Sequence, residues 1–399
     1  MSDSVYNAAS SAARDQAAHR AKLGELARLF LRLGTTAMGG PAAHIAMMED
    51  EVVRRRKWVT REHFLDMLGA TNLIPGPNST EMAIHIGHWR AGWRGLIVAG
   101  TCFILPAFFI VLAIAWTYVR FGSIPTARGL LYGVKPVIIA VVLQALWGLG
   151  KTAIGSRILG ALAVIAVVAA MLNVNDLAVL IGGGVVMVAI KLAMERGGIR
   201  ALVPWPALAP AAMVSSAAGA ATVFSLTTMF FFFLKVGAVL FGSGYVLLAF
   251  IRTDLVDRLH WMTNGQLLDA VAVGQVTPGP VFTTATFIGY MLGGVRGAIV
   301  ATVGIFLPSF IFVSASGPLI PKLRRSAIAG AFLDGVNVGA WALMVAVTYY
   351  LGRDAIVDAV TIVLAAVSAV ALLRYRINSA WLVIAGGLIG ILVGPRLGR

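Results

Sequence analysis

The sequence has little charge, a single cysteine and no nucleotide-binding loop, and each of these absences excludes a class of protein. Only 12% of the 399 residues are charged, whereas 59% are hydrophobic and the mean hydropathy is +0.87. This composition is typical of polytopic membrane proteins and lies outside the range of soluble domains. Because Cys102 stands alone in an apolar run, disulfides and thiolate metal sites are excluded. No Gly-x-x-x-x-Gly-Lys-Ser/Thr motif occurs, so ATP-driven transport by this chain is not expected.

The net charge of +15 does not indicate nucleic acid, because the basic residues cluster in loops beside apolar segments. The expected environment is a lipid bilayer. The first 22 or so residues are polar and lack the apolar core of a cleavable signal, so we expect the first membrane segment to direct insertion. No His, Asp or Glu spacing predicts a metal site, and neither a cofactor motif nor a nucleophile with its base is visible, so an enzyme is not expected.

Two Pro-Gly-Pro turns, Pro75-Gly76-Pro77 and Pro278-Gly279-Pro280, interrupt long apolar stretches. Proline lacks a donor and glycine loosens a helix, so each turn ends one helix and starts another. The flanking stretches 64–74 and 78–89 are each roughly 16–18 Å long, about half of a 30 Å hydrocarbon core. We therefore expect a helical hairpin that enters the membrane, turns near the midplane and leaves on the same side. The alternative is an ordinary span kinked by proline.

The chain repeats itself almost without gaps. Phe30-Leu-Arg-Leu-Gly34 matches Phe233-Leu-Lys-Val-Gly237, and the two Pro-Gly-Pro turns match at the same offset of 203 residues, which becomes 202 further along. Such a register over more than a hundred residues predicts two homologous halves. The predicted organisation is a polar arm (1–25), a first transporter repeat (26–196), a linker (197–221) and a second repeat (222–399).

The predicted fold is an all-α polytopic membrane protein in which each half has about five long apolar segments plus one re-entrant hairpin. Five crossings invert the second half relative to the first, and this arrangement places 17 Lys and Arg on one side against eight on the other. If the hairpins crossed fully, the division would be 14 to 11. The basic N-terminal arm disagrees, since five crossings put it on the outer side.

A second break offers an alternative for the first apolar segment, 26–48. If the segment turned back at this break, as its counterpart 227–250 would in the second half, each half would cross four times and the halves would not be inverted. The residues of the break are Gly39, Gly40 and Pro41.

The start of a half-helix at the midplane points unsatisfied N–H groups and a positive dipole end at any bound anion. Arg32 and Lys235 occupy equivalent repeat positions inside membrane segments, where basic side chains are rare and usually functional. The alternative is that both extend to the interface. The predicted oxyanion-binding residues are Arg32, Lys235, Gly76, Asn78, Ser79, Thr80, Gly279, Thr283 and Thr284.

One acidic and one imidazole side chain break the symmetry of the halves. Glu81 and His85 stand four residues apart on one face of the first exit half-helix, where the second half has a threonine and Phe287. They are candidates for a proton-coupling pair. The alternative is that two buried polar groups simply satisfy each other.

These motifs are similar to those of the chromate ion transporter family in its long, two-domain form. The resemblance rests on Phe30-Leu-x-Leu-Gly34 with Gly39-Gly40-Pro41-x-Ala43-His44, on the stretch 72–83, and on the stretches 241–250 and 274–287. It covers almost the whole chain from about Leu26. Met38 departs from the family, in which an aromatic residue is usual before the glycine pair.

The resemblance implies a bacterial inner-membrane protein that exports chromate and confers chromate resistance, with sulfate as a chemically similar competitor. It also implies that the two halves insert with opposite topology. An importer of sulfate or another oxyanion on the same scaffold is the alternative function, and a homodimer is left open as a further partner.

Overall fold

The computed structural model of the chain describes residues 2–37, 40–122, 124–195, 224–241, 244–316, 326–375 and 377–397, and these residues form helices and turns without a strand. The predicted linker 197–221 and the break residue Gly39 lie outside the described residues. The all-α prediction is confirmed. The helices of the first half are α1 (Ser2–Thr36), α2 (Gly40–Glu49), α3 (Arg61–Thr71), α4 (Asn78–Phe121), α5 (Pro125–Ala153), α6 (Arg157–Met171) and α7 (Asp176–Glu195).

The second half repeats this order. Its helices are α8 (Leu226–Val239), α9 (Leu247–Ile251), α10 (Asn264–Val276), α11 (Thr284–Ser316), α12 (Ala327–Ala355), α13 (Ala359–Arg374) and α14 (Ser379–Leu397). A π-helical turn follows α2 (Asp50–Arg55) and another follows α9 (Arg252–Arg258). Equivalent threonines cap α3 and α10: the side chain of Thr60 accepts from the N–H of His63, and that of Thr263 from Gln266.

Within the described part of the chain, five helices are long and apolar enough to cross a membrane: α4, α5, α7, α11 and α12. Shorter apolar helices, α6, α8, α13 and α14, accompany them. The chain is therefore a multi-pass membrane protein. Many large apolar side chains on these helices, such as Trp147 and Ile165, are exposed at the outer surface of the fold, as expected for residues that face lipid.

Each Pro-Gly-Pro turn is the tip of a re-entrant hairpin. The helix α4 doubles back at Ala91 and Gly92, where the backbone leaves helical geometry and Gly92 has φ +62°. At the open end of the hairpin, the ring of His63 at the start of α3 lies 4.1 Å from that of Trp89. The segment 78–90 thus returns to the face from which α3 came, and 93–121 crosses. The second half doubles back in the same way at Gly293 and Gly294, so the re-entrant prediction is confirmed.

The first apolar segment of each half also folds back. If 26–55 were straight, Arg32 and Glu51 would be about 28 Å apart, yet Arg32 Nη2 lies 2.5 Å from Glu51 Oε1. Arg90 bonds Glu25 at the start of this segment, at 3.0 Å, and stacks on Trp58 at its end, at 4.7 Å. Start and end therefore share one face, because the chain turns at the break after Ala37. This is the alternative left open above, and it places the basic N-terminal arm on the face of Arg54–Lys57.

The two halves run in opposite directions. Near the start of α5, the Tyr132 hydroxyl donates to Asp358 Oδ2 at 2.7 Å, just beyond the end of α12. Near the end of α5, the Leu146 carbonyl accepts from Trp341 Nε1 in the middle of α12, at 3.0 Å. Because α5 and α12 are equivalent in the repeat, their antiparallel packing shows that the halves are inverted.

The sequence analysis linked an inverted second half to an odd number of spans in each half. The inversion is nevertheless compatible with four spans in each half. Four crossings in the first half require the shorter apolar helix α6 to cross together with α4 (93–121), α5 and α7, and this half then begins and ends on one face. The inverted second half begins on the opposite face. The described residues on either side of the interval 196–223 accordingly lie on opposite faces of the molecule.

Candidate functional site

The tips of hairpins from opposite faces meet inside the molecule. The N–H of Gly76, in the first Pro-Gly-Pro turn, donates to the carbonyl of Leu240, in the first break of the second half, at 2.8 Å. The N–H of Gly279 donates to the carbonyl of Ala37 at 2.9 Å. The two bonds are equivalent, since Leu240 is 203 residues after Ala37 and Gly279 is 203 residues after Gly76. Each turn is thus bonded to the first hairpin of the other half.

Both turn glycines adopt backbone conformations that favour glycine, with φ +139° at Gly76 and +89° at Gly279. Space is also lacking for a side chain. A Cβ on Gly76 would overlap Glu81 Oε1 and lie 2.7 Å from Ser309 Oγ, and a Cβ on Gly279 would lie 2.7 Å from the Cβ of Ala107. The prolines on either side hold the extended backbone between the half-helices.

A cavity of about 320 Å³ adjoins the first turn. It lies between this turn, the end of α5, the break of the second half and α12, and its volume is in the range of small-ligand sites. Three asparagines, two threonines and one aspartate supply its polar side chains, and no basic side chain is among the described residues that line it. The polar lining residues are Thr71, Asn72, Asn78, Thr152, Asp334 and Asn337.

Asn78 is the predicted site residue that lines this cavity. It opens the exit half-helix, and its amide donates to Asn72 Oδ1 across the turn at 2.8 Å. The N–H groups of Thr80 and Glu81 turn back to the Pro77 carbonyl. An α-helix cannot satisfy the N–H groups at its start internally. Once those of Thr80 and Glu81 are paired, the remaining N–H groups of the first turn belong to Asn78 and the residue after it.

The other predicted hydroxyl donors are buried. Ser79 and Thr80 have almost no exposed surface. The hydroxyls of Thr283 and Thr284 donate to the carbonyls of Pro280 and Val281, both at 2.8 Å. In this arrangement they stabilise the second turn, and their role in anion binding stays a prediction.

Arg32 and Lys235 are each bound to a carboxylate. Arg32 contacts Glu51, and Lys235 donates to Asp254, 203 residues after Glu51. An arginine four residues after the carboxylate joins each cluster: Arg55 lies 3.3 Å from Glu51, and Arg258 lies 3.1 Å from Asp254. The proposed contact of Arg32 and Lys235 with an anion stays a prediction, because in this structure each is paired with a carboxylate of the protein. The repeat register was the signal that could have identified the acidic partners.

Glu51 is almost fully buried. Burial disfavours its charged form, but hydrogen bonds and charges from Arg32 and Arg56 outweigh this effect and hold the pKa of Glu51 below its ordinary value. The carboxylate is therefore ionised at neutral pH and fastens the two arms of the first hairpin together.

The candidate coupling residues Glu81 and His85 are not hydrogen-bonded to each other, and their role in proton coupling stays a prediction. Glu81 is completely buried, and neither of its carboxylate oxygens has a hydrogen-bond partner among the described residues. The Nε2 atom of His85 is likewise buried without a partner. Two further buried hydroxyls near this turn, on Thr80 and Ser309, also lack partners in the described part of the chain. The sequence did not indicate Ser309, which belongs to the other half.

The break in the first hairpin is placed as predicted where it is described. Gly40 has φ +80°, and Pro41 follows it in the first turn of α2. No group of three or more metal-binding side chains occurs among the described residues.

Comparison with known proteins gives two matches to one family model. The model described as Chromate transporter matches residues 24–188 and again residues 227–391. The chain is 32% identical over 381 residues to a chromate transport protein of Cupriavidus metallidurans, covering 94% of both chains. It is also 32% identical over 383 residues to a chromate transport protein of Pseudomonas aeruginosa, covering 92% of both.

A probable chromate transport protein of Synechococcus elongatus is 28% identical over 342 residues, which cover 84% of this chain and 86% of the relative. No solved structure matches the chain significantly. Two successive matches to one model, in a chain whose halves fold alike and pack antiparallel, show that this protein belongs to the chromate transporter family.

Proposed function

We propose that this protein is a secondary transporter that exports chromate across a bacterial inner membrane and thereby confers chromate resistance. The observation that carries the proposal is the cavity at the tip of the first re-entrant hairpin, where Asn78 and the start of the exit half-helix face Asn337 of the other half. The names of the relatives supply the substrate, since two of them are chromate transport proteins.

The chemistry of the cavity suits a tetrahedral oxyanion. Amide N–H groups and the positive end of a helix dipole donate to oxygen atoms without carrying a full charge. Asp334 also faces the cavity, and an ionised carboxyl there would disfavour a bound dianion. Chromate and sulfate have the same shape and charge, so sulfate is expected to compete at this site.

The distribution of charge sets the proposed orientation. The N-terminal arm, Arg54–Lys57 and Arg90 lie on one face, which the positive-inside rule makes cytoplasmic. An inside-negative potential is worth about 2.3 kcal/mol per charge per 100 mV and favours outward movement of an anion. Export is therefore possible without hydrolysis of a nucleotide.

Chromate flux in everted membrane vesicles that contain the protein tests the proposal. Accumulation that depends on an imposed potential and is inhibited by excess sulfate is the expected result. Uptake only by right-side-out vesicles would instead support the alternative of an oxyanion importer. Absence of flux in both kinds of vesicle, with the protein shown to be inserted, would contradict a role in oxyanion transport. A homodimer stays a prediction that cross-linking in the same vesicles can test.

A further inference from the structure

Glu81 is buried directly behind the turn that faces the cavity. Its Oε1 occupies the space that a side chain on Gly76 would need, and Ser309 Oγ lies beside the same point. Glu81 is three residues after Asn78, on the same half-helix. The carboxyl of Glu81 therefore adjoins the first Pro-Gly-Pro turn, and the turn adjoins the cavity.

Among the described residues, the carboxyl has no partner that would stabilise a negative charge. Neither oxygen accepts a hydrogen bond from the described residues, and no ion pair reaches it. Of the ionisable groups on neighbouring elements, Arg32 is bound to Glu51 and Lys235 to Asp254, and His44 and His85 have buried nitrogens without partners among the described residues. The carboxyl of Asp334, on α12, lines the adjoining cavity. The nearby segment of α11 contributes Ser309 and no ionisable group. An unpaired buried carboxylate is so unfavourable that Glu81 must hold a proton in this conformation.

The repeat provides an internal comparison. At the equivalent place in the second half, Thr284 replaces Glu81 and its hydroxyl is satisfied by the Val281 carbonyl. The equivalent of Ser309 is Ala107, whose methyl group packs against Gly279. The second turn thus folds with a threonine in place of Glu81 and with an alanine in place of Ser309, so the fold of the turn does not explain why the first half has a carboxyl and a serine there.

We propose that Glu81 is a proton-binding site and that its proton crosses the membrane together with the transported dianion. This inference rests on the proposed function. Anion binding at Asn78 and ionisation of Glu81 would place negative charges on the same short half-helix, so each disfavours the other. The protein therefore binds the dianion when Glu81 is protonated. The proton and the dianion leave together when the hairpin tip separates from α11 and water reaches the carboxyl. One dianion and one proton move per cycle, which transfers one net negative charge.

Purified full-length protein in proteoliposomes tests this, with chromate as the probe and Glu81→Gln as the variant. Glutamine has the shape of the protonated side chain but cannot release a proton. A pH gradient alone, without a chromate gradient, is expected to drive chromate accumulation by the wild-type protein and not by Glu81→Gln. Chromate itself takes up a proton near neutral pH, and this changes the concentration of the dianion with pH. The change is the same for both proteins, so it cancels when chromate accumulation by the variant is subtracted from that by the wild-type protein.

The apparent affinity of the wild-type protein for chromate is expected to fall about tenfold per pH unit once Glu81 ionises. This fall is expected to be absent from Glu81→Gln, which keeps Asp334 and therefore shares any effect of that carboxyl on the affinity. Ser309→Ala, which introduces the residue of the second half, removes a donor to the ionised carboxylate and should shift the wild-type pH dependence to higher pH.

If the wild-type protein and Glu81→Gln transport chromate with the same pH dependence and the same response to a pH gradient, the proton site is refuted while the transport function stands. Failure of both to transport chromate would count against the function itself. If Glu81→Gln fails to insert, the wild-type protein and Ser309→Ala still test the proposal. It is overturned if a pH gradient drives no chromate accumulation by the wild-type protein, or if Ser309→Ala does not shift the pH dependence of chromate affinity to higher pH.

Discussion

A single methyl group added at Gly76 should be strongly destabilising. An alanine there would keep a φ of +139°, at a strain of about 1–3 kcal/mol. Its Cβ would also overlap Glu81 Oε1 and approach Ser309 Oγ to 2.7 Å, and overpacking of this kind costs about 1–3 kcal/mol. The two effects together predict a loss of about 2–6 kcal/mol, because the turn must move or the strain must be accepted.

Movement of the turn would also break the bond from the Gly76 N–H to the Leu240 carbonyl, which is worth about 0.5–1.5 kcal/mol. The assays are thermal unfolding of the purified protein in detergent and chromate flux in everted vesicles. Gly76→Ala should unfold at a lower temperature and lose most of its flux.

Gly148→Ala is a suitable control. Gly148 lies inside α5 with nothing within 4 Å of the position of an added Cβ, so alanine should be neutral or stabilising by about 0.5–1 kcal/mol. If Gly76→Ala unfolded and transported like the wild-type protein while insertion was normal, the turn would be adaptable and the reasoning from its backbone geometry would be refuted.

Three further predictions concern other parts of the molecule. Arg32→Ala should abolish flux and lower the unfolding temperature, because it weakens the cluster around Glu51. Arg32→Lys introduces the residue of the second half and should retain most of the flux and of the thermal stability. An equal loss in the two variants would contradict this prediction. Asn78→Ala should raise the chromate concentration for half-maximal flux about tenfold, the cost of roughly one charge-assisted hydrogen bond, and an unchanged value would remove Asn78 from the site. Hydrogen bonding from the Thr361 backbone N–H holds the pKa of Asp358, at the start of α13, below its ordinary value. The contribution of Asp358 to stability is therefore present above the ordinary carboxyl pKa and is lost as the pH falls through the lowered pKa. Thermal unfolding as a function of pH should show this loss for the wild-type protein and not for Asp358→Asn.

Much of the fold was predictable because membrane proteins are built from few rules. The apolar composition predicted an α-helical membrane protein, and the matching Pro-Gly-Pro turns predicted two halves, each with a re-entrant hairpin. The fate of the segment 26–48 was not predictable from hydropathy, because a span and a folded-back hairpin have the same apolar composition. The ion pair between Arg32 and Glu51 decides it, and such a pair joins residues whose distance the sequence alone does not give.

The candidate site was predictable in part. Asn78 could be identified because it begins a half-helix after a proline, a local feature of the chain. Asn337 and Ser309 could not be identified, because they approach the first turn from the opposite half and have no motif of their own. Their place depends on the packing of α11 and α12 against the hairpin.

The sequence by itself determined the membrane environment, the twofold repeat and the two turns, because these follow from composition, periodicity and the chemistry of proline and glycine. Only the tertiary structure decided which tips meet. Gly76 bonds Leu240 and Gly279 bonds Ala37, and this exchange between inverted halves depends on contacts between residues more than 160 positions apart. The same contacts bury Glu81, which has no hydrogen-bond partner among the described residues, so its proposed role depends on the assembled fold and not on any local motif.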